Sequence, residues 1–291
     1  MSQTLKIEEA RPLELVTGQR ASAPQANTAA NTAAISVDHV FKRFGSKKGD
    51  VQAVSDASLT IARGEFVSIV GPSGCGKSTL LNMIAGLMPV SEGRIEVLGK
   101  PVKGPVHELG VVFQQHLLLP WRTILNNVLL QIEVRNLNRA EYLPRAQQLL
   151  KRVGLGDFAE RFPDELSGGM NQRAAIVRGL MHDPGVLLMD EPFGALDAMT
   201  RDQMCLDFHQ LSREQGKTVL FITHSITEAV FLSNRVVVMS PRPGRIEEIV
   251  PIELAGERHV DIRDEAEFTR YTRHIRRIFE KMGVLKEERR S

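Results

Sequence analysis

Residues 65–79 read Glu-Phe-Val-Ser-Ile-Val-Gly-Pro-Ser-Gly-Cys-Gly-Lys-Ser-Thr. The first six are apolar apart from Glu65 and Ser68, as suits a strand buried on both faces of a mostly parallel sheet. The next nine are Gly71, Pro72, Ser73, Gly74, Cys75, Gly76, Lys77, Ser78 and Thr79. They satisfy G-x-x-x-x-G-K-[ST] at every fixed position, and residues 77–87 continue as a helix. Strand, glycine-rich loop and helix in this order turn successive N–H groups and the positive end of a helix towards an anion. Glycines are required because the backbone must approach phosphates closely through turns that a Cβ forbids. Lys77 would reach the β- and γ-phosphates of a nucleotide, and the Ser78 hydroxyl would serve Mg2+. The competing reading, a glycine-rich turn with no ligand, is disfavoured by the complete motif in its proper context. Cys75 reads as a small residue at a permissive position; a low-pKa redox thiol beside the helix N-terminus is the lesser alternative.

A nucleoside triphosphate site needs a second element that holds the metal and activates water. Residues 186–191, Val-Leu-Leu-Met-Asp-Glu, form an apolar run ending in two carboxylates. Alone, such a run is an ordinary core strand followed by a solvated turn. Paired with the phosphate loop it becomes the Walker B strand, with Asp190 for Mg2+ and Glu191 to orient and polarise the attacking water. Hydrolysis of ATP or GTP is the expected chemistry.

Working outward, residues 35–40 and 54–61 read as strands, with a turn at 62–64, and 94–98 and 109–113 as further short strands. Between 120 and 180 the period changes. Leu125, Val128, Leu129 and Ile132 fall at helical spacing, as do Ala146, Leu149, Leu150 and Val153, with Pro144 placed in the first turn of the second helix. Strands return at 186–189, 218–222 and 236–239, separated by a helix over 201–215. The pattern predicts an α/β domain with a helical subdomain inserted into it. Residues 1–34 lack large apolar side chains beyond Gly18 and read as a poorly ordered tail. In residues 267–282, Phe268, Tyr271, Ile275, Ile278 and Met282 share one helical face, which predicts a helix docked on its own domain rather than on a membrane surface.

The 291 residues carry 37 Lys and Arg against 35 Asp and Glu, a net charge of +2 that lacks the basic excess of a nucleic-acid binder. Two cysteines cannot build a framework of disulfides, and they fit a reducing compartment. No run approaches the roughly 18–20 apolar residues of a membrane span. Glu8, Glu9 and Glu14 interrupt the place where the apolar core of a signal peptide would lie.

Residues 166–170, Leu-Ser-Gly-Gly-Met, lie between the two Walker elements and resemble the LSGGQ signature of ABC ATPases. Arg173 and a helix over 174–180 follow as in that family. Ser167, Gly168 and Gly169 would form a second anion nest at a helix N-terminus. The resemblance implies a P-loop ABC-type nucleotide-binding domain with N-terminal antiparallel strands over residues 35–250. Its helical subdomain would occupy about 115–180, and residues 251–291 would form a C-terminal helical extension. It also implies ATP and Mg2+ as cofactors, and a head-to-tail homodimer in which each signature caps the ATP on the other subunit's phosphate loop. Gln114 resembles the Q-loop glutamine that senses metal and water. Asp197 in Gly194-Ala-Leu-Asp197 resembles the D-loop aspartate that couples the two sites. His224 resembles the switch histidine at the γ-phosphate, and Phe44 the aromatic that stacks on adenine. His39, His107 and His116 are read as structural.

Within the family, the insert is too short for the coiled-coil arms of chromosome-maintenance ATPases. Two cysteines cannot supply the zinc modules of DNA-repair relatives, translation relatives carry two cassettes, and exporters usually fuse a membrane domain. The resemblance therefore implies the ATPase subunit of an importer. Such a subunit is peripheral on the cytoplasmic side of the inner membrane, bound to a separate integral permease and served indirectly by a solute-binding protein. Residues 117–122, Leu-Leu-Leu-Pro-Trp-Arg, and 240–246, Ser-Pro-Arg-Pro-Gly-Arg-Ile, resemble the nitrate, sulfonate and taurine group. Leu117, Leu118, Leu119 and Trp121 either help form the groove for a permease helix or pack the insert. Ser225 and Asn171 depart from the commoner Asp and basic residue at their positions. The competing functions are a non-transport ABC ATPase acting on nucleic acid or the translation apparatus, and a regulator that binds ATP without hydrolysing it.

Overall fold

The computed structural model describes residues 33–45, 49–254 and 258–285. The polar tail therefore lies outside the described residues, except for Ala33 and Ala34, which already belong to a strand. β1 (Ala33–Phe44) and β2 (Val51–Ala62) pair antiparallel from Ala33↔Ala62 to Phe44↔Val51. β3 (Phe66–Val70) leads into α1 (Lys77–Ile84). The helix is shorter than the sequence predicts because Gly86 takes a left-handed φ of 72°, and a Cβ there would overlap the Gly104 carbonyl. β4 (Glu92–Val97), β5 (Lys100–Pro101) and β6 (Leu109–Val112) follow.

The insert contains α2 (Ile124–Val128), α3 (Leu130–Val134) and α4 (Arg139–Arg152). Pro144 lies in the second turn of α4, not the first as expected. The helix starts earlier because the Asn138 side chain caps it, accepting from the Ala140 N–H at 3.1 Å and donating to Glu141 at 2.8 Å. Beyond it come α5 (Gly168–Leu180), β7 (Val186–Asp190), α6 (Ala198–Glu214), β8 (Thr218–Ile222) and α7 (Ile226–Leu232). β9 (Arg235–Met239), β10 (Ile246–Pro251) and α8 (Ala266–Lys281) complete the described chain.

Two sheets result, one four-stranded in the order β2-β1-β4-β5 and one six-stranded in the order β10-β9-β3-β8-β7-β6. In the second, all neighbours are parallel except β10, which runs antiparallel to β9. Side chains alternate across this sheet and so define its two cores. Val67, Ile69, Leu220, Ile222 and Val237 pack with α1 and the antiparallel sheet. Phe66, Val70, Val219, Phe221, Val236 and Val238 pack with α6, α7 and α8 on the opposite face. Phe268, Ile275 and Ile278 of α8 join that core as expected, and the buried Thr272 and Phe279 extend the face. A third cluster holds Ile124, Val128, Ile132, Ala146 and Leu150 of the insert against Ala174 and Val177 of α5.

Candidate functional site

The glycine-rich loop connects the buried end of β3 to α1. Gly76 caps the helix at φ 102°, and a Cβ there would stand 2.8 Å from the Ala53 carbonyl oxygen of β2. Both conformation and space therefore demand glycine. Ser73, Gly74 and Ser78 are exposed, whereas Lys77 is buried along the loop, its Nζ donating to the Gly71 carbonyl at 2.8 Å and that of Pro72 at 3.1 Å. Cys75 turns inward to join the core. Burial pushes its thiol above the usual range, and the pull of Lys77 in the other direction is the smaller effect. Those are the opposite conditions to those of a reactive thiolate, so packing is the role its environment supports. Phe44 stands at the end of β1, partly exposed, with the Lys42 ammonium 5.1 Å from its ring centroid.

Asp190 ends β7, Glu191 follows it, and their environments differ. Asp190 is buried, its carboxyl pushed up by desolvation while the facing Ser78 hydroxyl pulls it down. Its Oδ1 has no hydrogen-bond partner. An orphaned carboxylate oxygen beside a serine hydroxyl is a hard oxygen pair suited to Mg2+, which takes few protein ligands and completes its shell with phosphate and water. Among the described residues no three His, Cys, Asp or Glu side chains cluster, as a dedicated all-protein metal cage would need.

Glu191 carries the geometry that draws three elements together. Its φ of 44° is left-handed, a conformation that costs a non-glycine residue and is held only where surroundings enforce it. Here the Glu191 N–H donates to the Ile222 carbonyl at 2.9 Å, and this fixes the backbone. Its Oε2 accepts from Gln114 Nε2 at 3.3 Å and lies 3.2 Å from His224 Nδ1. Gln114 follows β6 and His224 follows β8, so the strands flanking β7 each send one side chain to the same carboxylate oxygen.

Ser167 caps α5, its hydroxyl accepting from the Met170 N–H at 3.3 Å, and Ser167 and Gly168 are exposed. Asp197 likewise caps α6, accepting from the Thr200 N–H at 3.0 Å. The two turns touch within one chain, since a Cβ on Gly169 would lie 3.1 Å from Leu196 Cδ2. Among the described residues no hydrogen bond joins Ser167, Gly168 or Gly169 to residues 71–79. Ser225 serves as the cap of α7, accepting from the Glu228 N–H at 3.2 Å, a task its oxygen performs as an aspartate would. Asn171 is buried and donates to the Pro163 carbonyl at 2.8 Å, bracing the turn before the signature. His39 and His107 are exposed and His116 is half-buried, and none of the three is in the core.

The 117–122 loop divides the expected roles. Leu118 packs into the core of the insert. Leu117, at φ 45° and exposed, lines a groove of about 330 Å³ with Leu87, Phe113, Arg135 and His182. Trp121 is 71% exposed and lies outside the groove lining. Three residues that the sequence reading passed over hold this region. Buried Asn127 accepts from the Leu119 N–H at 2.7 Å, and the two hydrogens of its amide nitrogen are shared among the carbonyls of Leu119, Arg122 and Thr123. Arg178 of α5 donates to the carbonyls of Leu117 and His116 at 2.7 and 2.8 Å, and Gln172 to that of Phe113 at 3.4 Å. A polar residue at a core position of a helical pattern was the available signal for Asn127.

Residues 54–194 match the ABC transporter family. The chain is 45% identical over 254 residues to an uncharacterized ABC transporter ATP-binding protein of Methanocaldococcus jannaschii, covering 87% of this chain and 92% of that one. It is 42% identical over 252 residues to the taurine import ATP-binding protein TauB of Escherichia coli, covering 84% and 97%. A dimeric post-hydrolysis structure of the ATP-binding cassette MJ0796 bound to ADP and Pi superimposes with a TM-score of 0.69 at 33% identity, covering 76% of this chain and all of that one. This chain belongs to the ABC transporter ATP-binding family. It is an ABC-type ATPase with the cassette fold, an antiparallel sheet beside a mixed one.

Proposed function

We propose that the chain is the ATP-hydrolysing subunit of an importer for a taurine-, sulfonate- or nitrate-like solute, docked peripherally on the cytoplasmic face of the inner membrane against a separate permease. The likeness to the taurine import protein over nearly its whole length supports the solute class. No helix among the described residues is long and apolar enough to cross a membrane, which fits an engine that relies on a partner for the pore.

The observation that carries the catalytic reading is the convergence of Gln114 and His224 on Glu191 Oε2. Glu191 orients and polarises the attacking water, and its two neighbours hold the carboxylate and report on the terminal phosphate. Gly71 to Thr79 cradle the phosphates through backbone N–H groups, Lys77 exchanges its carbonyl partners for phosphate oxygens, and Phe44 stacks on adenine. Asp190 and Ser78 hold Mg2+, which supplies charge neutralisation on the phosphates when bound. The exposed signature turn at Ser167, Gly168 and Gly169 completes the site on a second copy, as the dimeric form of MJ0796 suggests, with Asp197 at the junction. Closure of the two copies pulls on the permease through the groove beside Leu117.

Reconstitution with a permease of the same importer group and its solute-binding protein tests this reading. ATP-driven uptake of taurine, an alkanesulfonate or nitrate into proteoliposomes is the expected result. Permease-stimulated ATPase activity that moves none of them refutes the solute class, and purification with RNA or DNA instead of a permease refutes the importer assignment.

A further inference from the structure

The 240–246 segment marks a resemblance in the sequence, and the structure gives it a physical task. β9 and β10 are antiparallel neighbours, and the turn between them, exposed at Pro241, Arg242, Pro243 and Arg245, is anchored through the buried Gly244. It folds back on β2, with the Gly244 N–H donating to the Ala53 carbonyl at 3.0 Å and the Ser55 N–H to the Gly244 carbonyl at 2.9 Å. Buried Ser240 clasps the turn. Its N–H donates to the Arg245 carbonyl at 2.9 Å, and its Oγ accepts from the Arg245 N–H at 3.0 Å.

What the turn presses against is the glycine-rich loop. A Cβ on Gly244 would overlap the Cys75 carbonyl oxygen outright and stand 2.9 Å from Met239 Cε. Gly244 does not have a left-handed φ, so its requirement for glycine is one of space alone. The Ala53 carbonyl that receives the Gly244 N–H is also the atom against which Gly76 is packed. The backbone at Cys75 and Gly76 is therefore braced from outside by two further stretches of backbone, at Gly244 and at Ala53, which it meets directly.

We infer that the 240–245 turn is a positioning element of the nucleotide site: Gly244, held by Ser240 and β2, sets where the Cys75–Gly76 backbone stands and so aims its N–H groups at the phosphates. The inference rests on the reading of residues 71–79 as the phosphate cradle. Misplacing such groups by an ångström costs up to about a hundredfold in function, so a small displacement is measurable.

The test is Gly244→Ala, with Gly185→Ala as control, since a Cβ on Gly185 meets nothing within 4 Å. Calorimetric titration with Mg-ADP and with AMP reads both the affinity and the share of it owed to the β-phosphate. Expected for Gly244→Ala is a loss of about tenfold or more in Mg-ADP affinity and a smaller ADP-over-AMP preference. Gly185→Ala should stay within about twofold of the parent. A purely structural role would lower the melting temperature and leave that preference intact. A folded Gly244→Ala that binds Mg-ADP as the parent does overturns the inference, whereas a parent that does not bind Mg-ADP overturns the cradle reading itself. Should Gly244→Ala fail to fold, hydrogen exchange on the unaltered chain decides. The Gly244 and Ser55 amides gain protection when Mg-ADP saturates the site, and unchanged protection overturns the inference.

Discussion

Replacing Ile275 by alanine tests whether α8 is part of the core. Ile275 is fully buried among Phe268, Ile278 and Phe279 of its own helix and residues of α7 and the sheet. Truncation removes three carbons and leaves a cavity that packed neighbours fill only in part, a loss of about 3 kcal/mol within the usual 2–5. For a fold of this size each kcal/mol moves the melting temperature by about 2–4 °C, so a fall of roughly 6–12 °C is expected. Arg277→Ala on the exposed side of the same helix should stay within about 0.5 kcal/mol of the parent. Circular dichroism melts and urea titrations read both effects. α8 and α1 occupy opposite faces of the six-stranded sheet, so the ATPase rate of Ile275→Ala at 25 °C should remain near that of the parent. An Ile275→Ala variant that melts with the parent but loses binding to anionic vesicles would mean that the apolar face serves a membrane surface, and the reasoning would be wrong.

Three other outcomes follow from the site and its surroundings. Glu191→Gln should retain nucleotide affinity while losing about 10²–10⁴ in hydrolysis, and should accumulate as an ATP-bound dimer in light scattering; hydrolysis at the parental rate would remove Glu191 from the chemistry. Lys77→Ala should weaken Mg-ATP binding in calorimetry, and unchanged affinity would contradict the cradle. Lys217, with Arg145 behind it, holds the Asp183 carboxyl below the usual carboxylate range. A depressed native pKa gives stability that is present above the ordinary value and lost as pH falls through the native one. Asp183→Asn should therefore be less stable than the parent at pH 7, by about 1 kcal/mol or less once solvent screening is allowed for. The gap should close below about pH 4, as urea titration across pH would show.

The parts of the molecule that the sequence exposed are those where chemistry or period constrains residue types locally. The phosphate loop was legible because its residues are contiguous and Gly74 and Gly76 answer to positive φ, although the backbone that Gly76 must clear, at Ala53 of β2, is not local. The buried strands announced themselves as short apolar runs, and α8 by its one apolar face. The start of α4 was misplaced because Pro144 is a conspicuous signal and Asn138 a quiet one, although Asn138 and Glu141 stand at the spacing of a capping box. Leu118 and Leu117 look alike in sequence, yet one fills the insert and the other faces the groove. Nothing local separates them, because the left-handed φ at Leu117 and the Arg178 clasp come from an element some sixty residues away. Gln114, Glu191 and His224 could be nominated singly from the chain, but their meeting at one oxygen is a property of strand order.

Asn127 has a consequence beyond holding its own helix. Hydrogen bonds of one buried side chain with Leu119 and Arg122 fix both ends of the segment that displays Trp121. Loops that recognise partners commonly surrender conformational entropy when they dock, and each immobilised residue weakens the complex. Here that ordering is completed when the chain folds. The largest exposed side chain of the insert thus stands on a backbone already set in shape, and a partner meeting this indole has little left to freeze.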